Sequence, residues 1–245
     1  MVEIKLLKQI DFSGCTFIEG FPGAGLVGPM AISYIVNKLS MDYVGYVDSE
    51  LLPPLVSIHN DMPLPPVRLY YSKKYKMAAL FAETSPNKEA SIYHIADSLH
   101  EFIKENKFSM TISLSGVPVE KPDGDSVFGI VSLPKLSKTL DDAGIKKIGE
   151  GVATGISACL IMRAAIDSTS DINLLVQVNP EMIDPKYAEL AIEKMNKILG
   201  IDIDVGELDK EAKEVEARVR DLLEKSKESP HDIDAQPSTV PSMYA

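Results

Sequence analysis

The sequence predicts an α/β fold whose largely parallel or mixed central sheet is covered on both faces by helices. Three observations carry this expectation. Short apolar runs alternate with longer segments of helical periodicity through most of the chain, the pattern of strand–helix–strand units. Runs such as 172–178 are apolar nearly throughout, as in strands buried on both faces. The 245 residues, 45% of them apolar, are enough for an ample single core with appendages.

Taken in order, residues 15–19 (Cys-Thr-Phe-Ile-Glu) form a short apolar strand that runs into a glycine-rich loop. A helix over 26–39 follows, with Met30, Ile32, Ile35, Val36 and Leu39 as its apolar positions. Residues 43–48 read as the second strand. The stretch 51–66 carries five prolines and a short strand at 55–59. Residues 67–71 and 76–83 look like a hairpin turning at Ser72-Lys73-Lys74. Ile92, Ile95, Ala96, Leu99, Phe102 and Ile103 make 88–106 an amphipathic helix. A strand at 110–115, a polar loop at 118–126 and a strand at 127–131 come next. They are followed by a helix at 133–143 closed by Gly144, and a small strand at 145–148. Residues 151–166 read as a buried helix, 172–178 as an apolar strand, and 185–199 as a helix stopped by Gly200.

A different element begins at 205. Val205, Leu208, Ala212, Val215, Val219 and Leu222 step by three and four through a segment of Glu, Lys, Arg and Ala, the spacing of a coiled-coil seam. Two readings stand: a helix packed on its own body, or an oligomer contact. Beyond it, Pro230, Pro237 and Pro241 block helix and strand ladders in a segment with little to offset ordering entropy. Residues 228–245 therefore form a tail, able to reach about 60 Å at ~3.3 Å per extended residue. The chain divides accordingly into 1–204, an α/β domain; 205–227, a helix; and 228–245, a flexible tail.

The net charge of −11 and the lack of Lys/Arg runs make nucleic acid and anionic membranes poor partners. Cys15 and Cys159 lie in apolar settings and read as reduced residues of a cytoplasmic protein. No basic-then-apolar leader opens the sequence, and the apolar run ending at Ile166 is too short to span a bilayer.

The loop Gly23-Ala24-Gly25-Leu26-Val27-Gly28 matches the dinucleotide fingerprint G-x-G-x-x-G between a predicted strand and a predicted helix. Asp48 closes the next strand, where an acid would meet a ribose hydroxyl. Gly23, Gly25, Gly28 and Asp48 are thus a candidate ligand loop, and a nucleotide- or nucleoside-binding enzyme or sensor is the alternative function. Against it, Pro22 and Pro29 remove N–H groups beside the loop. The competing expectation is a tight turn whose glycines let strand and helix pack closely.

Taken whole, the string from Phe17 through Gly28 resembles the N-terminal signature of the proteasome-assembly-chaperone family in its archaeal branch. Leu51-Leu52-Pro53-Pro54 and Gly116-Val117-Pro118 look like further landmarks, and the resemblance covers residues 12–199. It implies a phosphorylase/hydrolase-like three-layer fold, a homo-oligomer, and binding to proteasome core-particle α subunits without ATP. The last three residues resemble the hydrophobic-tyrosine-any signature of proteasome activators and chaperones. Met243 would give apolar contact, Tyr244 the anchor, and Ala245 the carboxylate.

Enzyme motifs are missing. There is no Walker loop and no H-E-x-x-H, and Gly155-Ile156-Ser157-Ala158-Cys159 fails the last position of a nucleophile elbow. His59, His94, His100 and His231 are scattered. Glu83, Thr84 and Ser85 end a strand where α/β proteins bind ligands, but read more simply as a polar loop. The sequence thus points to a non-enzymatic binding protein with no catalytic residue, cofactor or metal assigned.

Overall fold

The computed structural model describes residues 2–228 apart from 60, 87, 124, 125 and 181, with backbone alone at 210, 211, 223 and 225–228. Met243, Tyr244 and Ala245, with the rest of 229–245, lie outside the described residues.

Among the described residues eleven strands and six α-helices follow one another. The first half holds β1 (Val2–Leu6), β2 (Thr16–Gly20), α1 (Val27–Lys38), β3 (Asp42–Ser49), β4 (Ser57–His59), β5 (Met62–Leu64), β6 (Val67–Ser72), β7 (Met77–Ala82) and α2 (Glu89–Glu105). The second holds β8 (Met110–Pro118), β9 (Val127–Val131), α3 (Ser137–Asp142), β10 (Lys146–Lys147), α4 (Ile156–Ile166), β11 (Asp171–Val178), α5 (Pro185–Leu199) and α6 (Leu208–Glu228). Nine strands form one sheet in the order β1-β3-β6-β7-β2-β8-β11-β9-β10, and β4 pairs with β5 apart from it.

The sheet is mixed rather than largely parallel. Its centre, β7-β2-β8-β11, is parallel. The β6–β7 hairpin, β3 and β1 then extend one flank with antiparallel pairings, and β9 joins β11 antiparallel on the other. The edge strand β1 is a finding beyond the sequence reading. Its residues are exposed or half-buried, so it carries too little apolar signal to stand out. Pro63 does not prevent β5, because a two-stranded ribbon has edges that need no donor.

Alternation sends neighbouring side chains to opposite faces. Ile112, Leu114, Ile172, Leu174 and Val176 meet α1, α3, α5 and α6 on one face. Phe17, Ala78, Leu80 and Val67 meet α2 and α4 on the other. The result is a three-layer α/β/α body.

Two helices are shorter than periodicity predicts. Residues 134–136 are a 3-10 turn, so α3 begins at Ser137. The predicted helix at 151–166 begins at Ile156, because Gly155 takes φ +87, which no α-helix contains. The apolar positions of α6 pack within the chain. Leu208, Ala212, Val215, Val219 and Leu222 are all buried, and all but the last join the cluster with α1 and α5. Each large apolar side chain so buried contributes about 1.5–3 kcal/mol. No helix among the described residues is long and apolar enough to cross a membrane.

Candidate functional site

The glycine loop leaves the end of β2, passes Pro22 and Gly23, makes a 3-10 turn at Ala24–Leu26 and enters α1. Most of its glycines are demanded by packing. A Cβ on Gly20 would lie 2.5 Å from the Gly28 Cα, and one on Gly28 would lie 2.7 Å from the Gly20 Cα and the Leu114 carbonyl. Gly116, on β8, sits so close beneath the loop that its Cβ would reach 2.1 Å from the Ala24 carbonyl. Gly25 takes φ +66 against Val178 and Tyr187. Strand-to-helix close packing accounts for Gly25 and Gly28.

Gly23, Gly25 and Gly28 remain together, but Asp48 is not brought to them. It ends β3, separated from β2 by β6 and β7, and it is paired with Lys5 of β1. A dinucleotide site needs its acid on the strand beside the loop. The antiparallel hairpin inserted there removes Asp48 from that role.

Between the loop, the end of β8 and the start of α4 lies a cleft of about 360 Å³. It sits at the C-terminal ends of β2 and β8, where open α/β sheets bind ligands. Beside it, Glu19 of β2 is fully buried. Ser157 Oγ donates to Glu19 Oε1 at 2.7 Å, and Ser115 Oγ donates to Ser157 Oγ at 3.4 Å. Burial raises the Glu19 carboxyl above its ordinary value; the hydroxyls of Ser113 and Ser157 and the Phe21 amide offset only part of that. Asp171 of β11 is also buried. Its carboxyl is pushed up strongly by burial, and further by the charge of Glu19.

A third buried acid, Glu83, lies on the opposite face. Glu83, one residue past β7, is fully buried and meets Arg68 Nη1 at 3.0 Å through Oε2, which also accepts from the Ser57 hydroxyl. Its Oε1 faces His59 Nε2 at 3.3 Å and Arg218 Nε of α6 at 3.4 Å, the latter an ion pair without hydrogen-bond geometry. The Arg68 guanidinium, 1% exposed, also donates to Tyr70 Oη (3.1 Å), the Pro65 carbonyl (2.8 Å) and His59 Nε2 (3.2 Å), and lies over the Phe81 ring. Accepting from Arg68 makes Nε2 the unprotonated ring nitrogen. Burial first, then the Arg68 charge, lowers the His59 pKa. Sequence reasoning flagged Glu83 alone; nothing in sequence spacing ties it to Arg68 or Arg218.

Cys15 and Cys159 are free thiols. Among the described residues, no group of three or more His, Cys, Asp or Glu could hold a metal. His100 instead meets Asp167 at 3.0 Å.

Fold and sites together define a three-layer α/β protein with buried acids on both faces of its sheet. The PAC2 family model matches residues 17–223, and the chain belongs to the PAC2 family. PbaA of Pyrococcus furiosus, described as an archaeal homolog of proteasome-assembly chaperone, is 30% identical, with a TM-score of 0.81 over 92% of this chain and 99% of its own. PbaB of the same organism, described as an archaeal proteasome activator, shares the fold at 23% identity and a TM-score of 0.73, over 91% of this chain and 98% of its own. An uncharacterized protein of Methanocaldococcus jannaschii is 28% identical over 216 residues, 88% of each chain.

Proposed function

We propose that this chain is an ATP-independent, non-enzymatic proteasome-binding protein of the cytoplasm, an assembly chaperone or activator. It docks on the α ring of the core particle through Met243, Tyr244 and the Ala245 carboxylate. The observation that supports this reading best is the likeness to PbaA, which extends over nearly the whole of both chains. The tripeptide, reached from separate residues, supports the same partner. In this reading 1–204 is the body, 205–227 a helix that braces it, and 228–245 a tether carrying the docking residues. A homo-oligomer would present several tethers at once, and linked weak contacts gain avidity of roughly 10²–10⁴ without any new contact.

The test is surface-plasmon binding of the full chain, and of a chain ending at Ser242, to archaeal proteasome core particles. Loss of binding on removing the three residues, with unfolding unchanged, is the expected result. Equal binding by both chains would overturn the docking role.

A further inference from the structure

A cavity of about 260 Å³ is enclosed by α1, β4, β6, β7 and α6, and most of the side chains lining it are polar. Arg68 of β6 and Arg218 of α6 both reach it. Behind them stands Glu83, a single carboxylate facing two guanidinium groups. One positive charge is therefore left over at the cavity wall. His59 also lines the cavity but adds no charge there, because burial and the Arg68 charge hold its pKa below the ordinary value.

The donors at this wall are not all used. Arg68, 1% exposed, meets Tyr70 through Nε, Pro65 and Glu83 through Nη1, and His59 through Nη2. A guanidinium carries one N–H more than these partners take up, and it is on Nη2. Arg218 Nε is buried without a hydrogen-bond partner, since its 3.4 Å approach to Glu83 lacks the geometry. A buried N–H without an acceptor is costly, and a bound acceptor removes that cost. Tyr70 Oη accepts from Arg68, so its own proton is left to donate.

The geometry points to a binding site for a small carboxylate in this cavity, held by the Arg218 and Arg68 guanidinium groups and the Tyr70 hydroxyl. A planar guanidinium matches the two oxygens of a carboxylate. The single surplus charge suits a monoanion, and Glu214, which also lines the cavity, repels a dianion such as phosphate. Val36 and Phe81 supply an apolar wall for a short alkyl group. At about 260 Å³ the space is smaller than the roughly 300–1,000 Å³ of ordinary ligand pockets, so the ligand has few carbons. The carboxylate belongs either to a simple acid or to an amino acid, whose ammonium group would meet Glu214. Neither the tail nor the proteasome reading enters this site.

The experiment is amide-resolved NMR titration of the full chain with propionate, alanine and propionamide. Saturable shifts at Arg68, Tyr70 and Arg218 with propionate or alanine, and none with the uncharged propionamide, are the expected result. Tighter binding of alanine, lost in Glu214→Gln, assigns an amino acid; binding of propionate at least as tight assigns a simple acid. Arg218→Gln should weaken binding about tenfold or more, the loss of one charge-assisted hydrogen bond. Arg218→Lys keeps a cation for Glu83 but not the planar fork, and should weaken binding less. Lys147→Gln, at an exposed ion pair with Asp141 outside the cavity, should leave binding unchanged. No saturable shift with either carboxylate, equal shifts with propionamide, or undiminished binding in both Arg218 variants would overturn the site.

Discussion

Glu19 and Glu83 are both fully buried and lie at the C-terminal ends of the neighbouring parallel strands β2 and β7, yet the protein treats them in opposite ways. Glu19 faces α4 and is given serine hydroxyls and a backbone amide, with no cation. Glu83 faces α6 and is surrounded by Arg68, Arg218 and His59. Burial of a carboxyl can be met by keeping its proton or by supplying opposite charge. The choice sets what each site does. The Glu83 cluster ties β4, β6, β7 and α6 into one unit, and so stabilises only as a set. The Glu19 site carries no such load and stands next to an open cleft.

The sharpest test of this contrast is to remove one cation. Arg68→Met should cost about 3–5 kcal/mol in urea unfolding, because Glu83 is left buried without its nearest cation. Adding Glu83→Leu should recover part of that loss. A double variant no more stable than Arg68→Met would break the account of Glu83 as a charge held by Arg68.

A smaller effect is due on the other face. Ser157→Ala removes one neutral hydrogen bond to Glu19 and should cost about 0.5–1.5 kcal/mol. A loss as large as that of Arg68→Met would show that Glu19 is a charge after all.

The smallest effects are slopes of stability against pH, and the two sites should slope in opposite directions. The folded chain holds the Glu19 proton more tightly than the unfolded chain, whose ordinary value is 4.5. That contribution is complete below 4.5 and is lost as pH rises through the folded value. Glu19→Gln should remove this decline. His59 is the reverse. The folded state resists a proton that the unfolded chain takes up near 6.5, so stability is lost as pH falls through and below that value, and His59→Gln should flatten it. Unfolding midpoints of the two variants across pH 4–8 check both signs.

The sequence made part of this legible. The strand at 16–20, the turn and the helix beginning near Leu26 are local, and glycine, proline and apolar spacing announce them. The seam of α6 was also visible as a pattern, although its spacing is equally that of an oligomer contact. Asp48 shows where local reading fails. Twenty residues after Gly28 it has the right separation for a nucleotide site, but the sheet order puts two strands between them. The start of α4 was placed five residues early, because glycine stands at both 151 and 155 and only the φ of Gly155 shows which of them bounds the helix.

By itself the sequence determined the α/β class, the apolar spacing of α6 and the resemblance to the family, since each depends on neighbours a few residues apart, whereas the packing role of the loop glycines rests on contacts with distant residues such as Leu114 and Val178. Only the tertiary structure decided that Arg68 and Arg218 meet at Glu83, that Glu19 has no cation, and that α1 and α4 open on one cleft. The physical reason is that strand order and register, not chain distance, set which side chains share a buried space. Inside that space, each charge must find a partner or keep its proton.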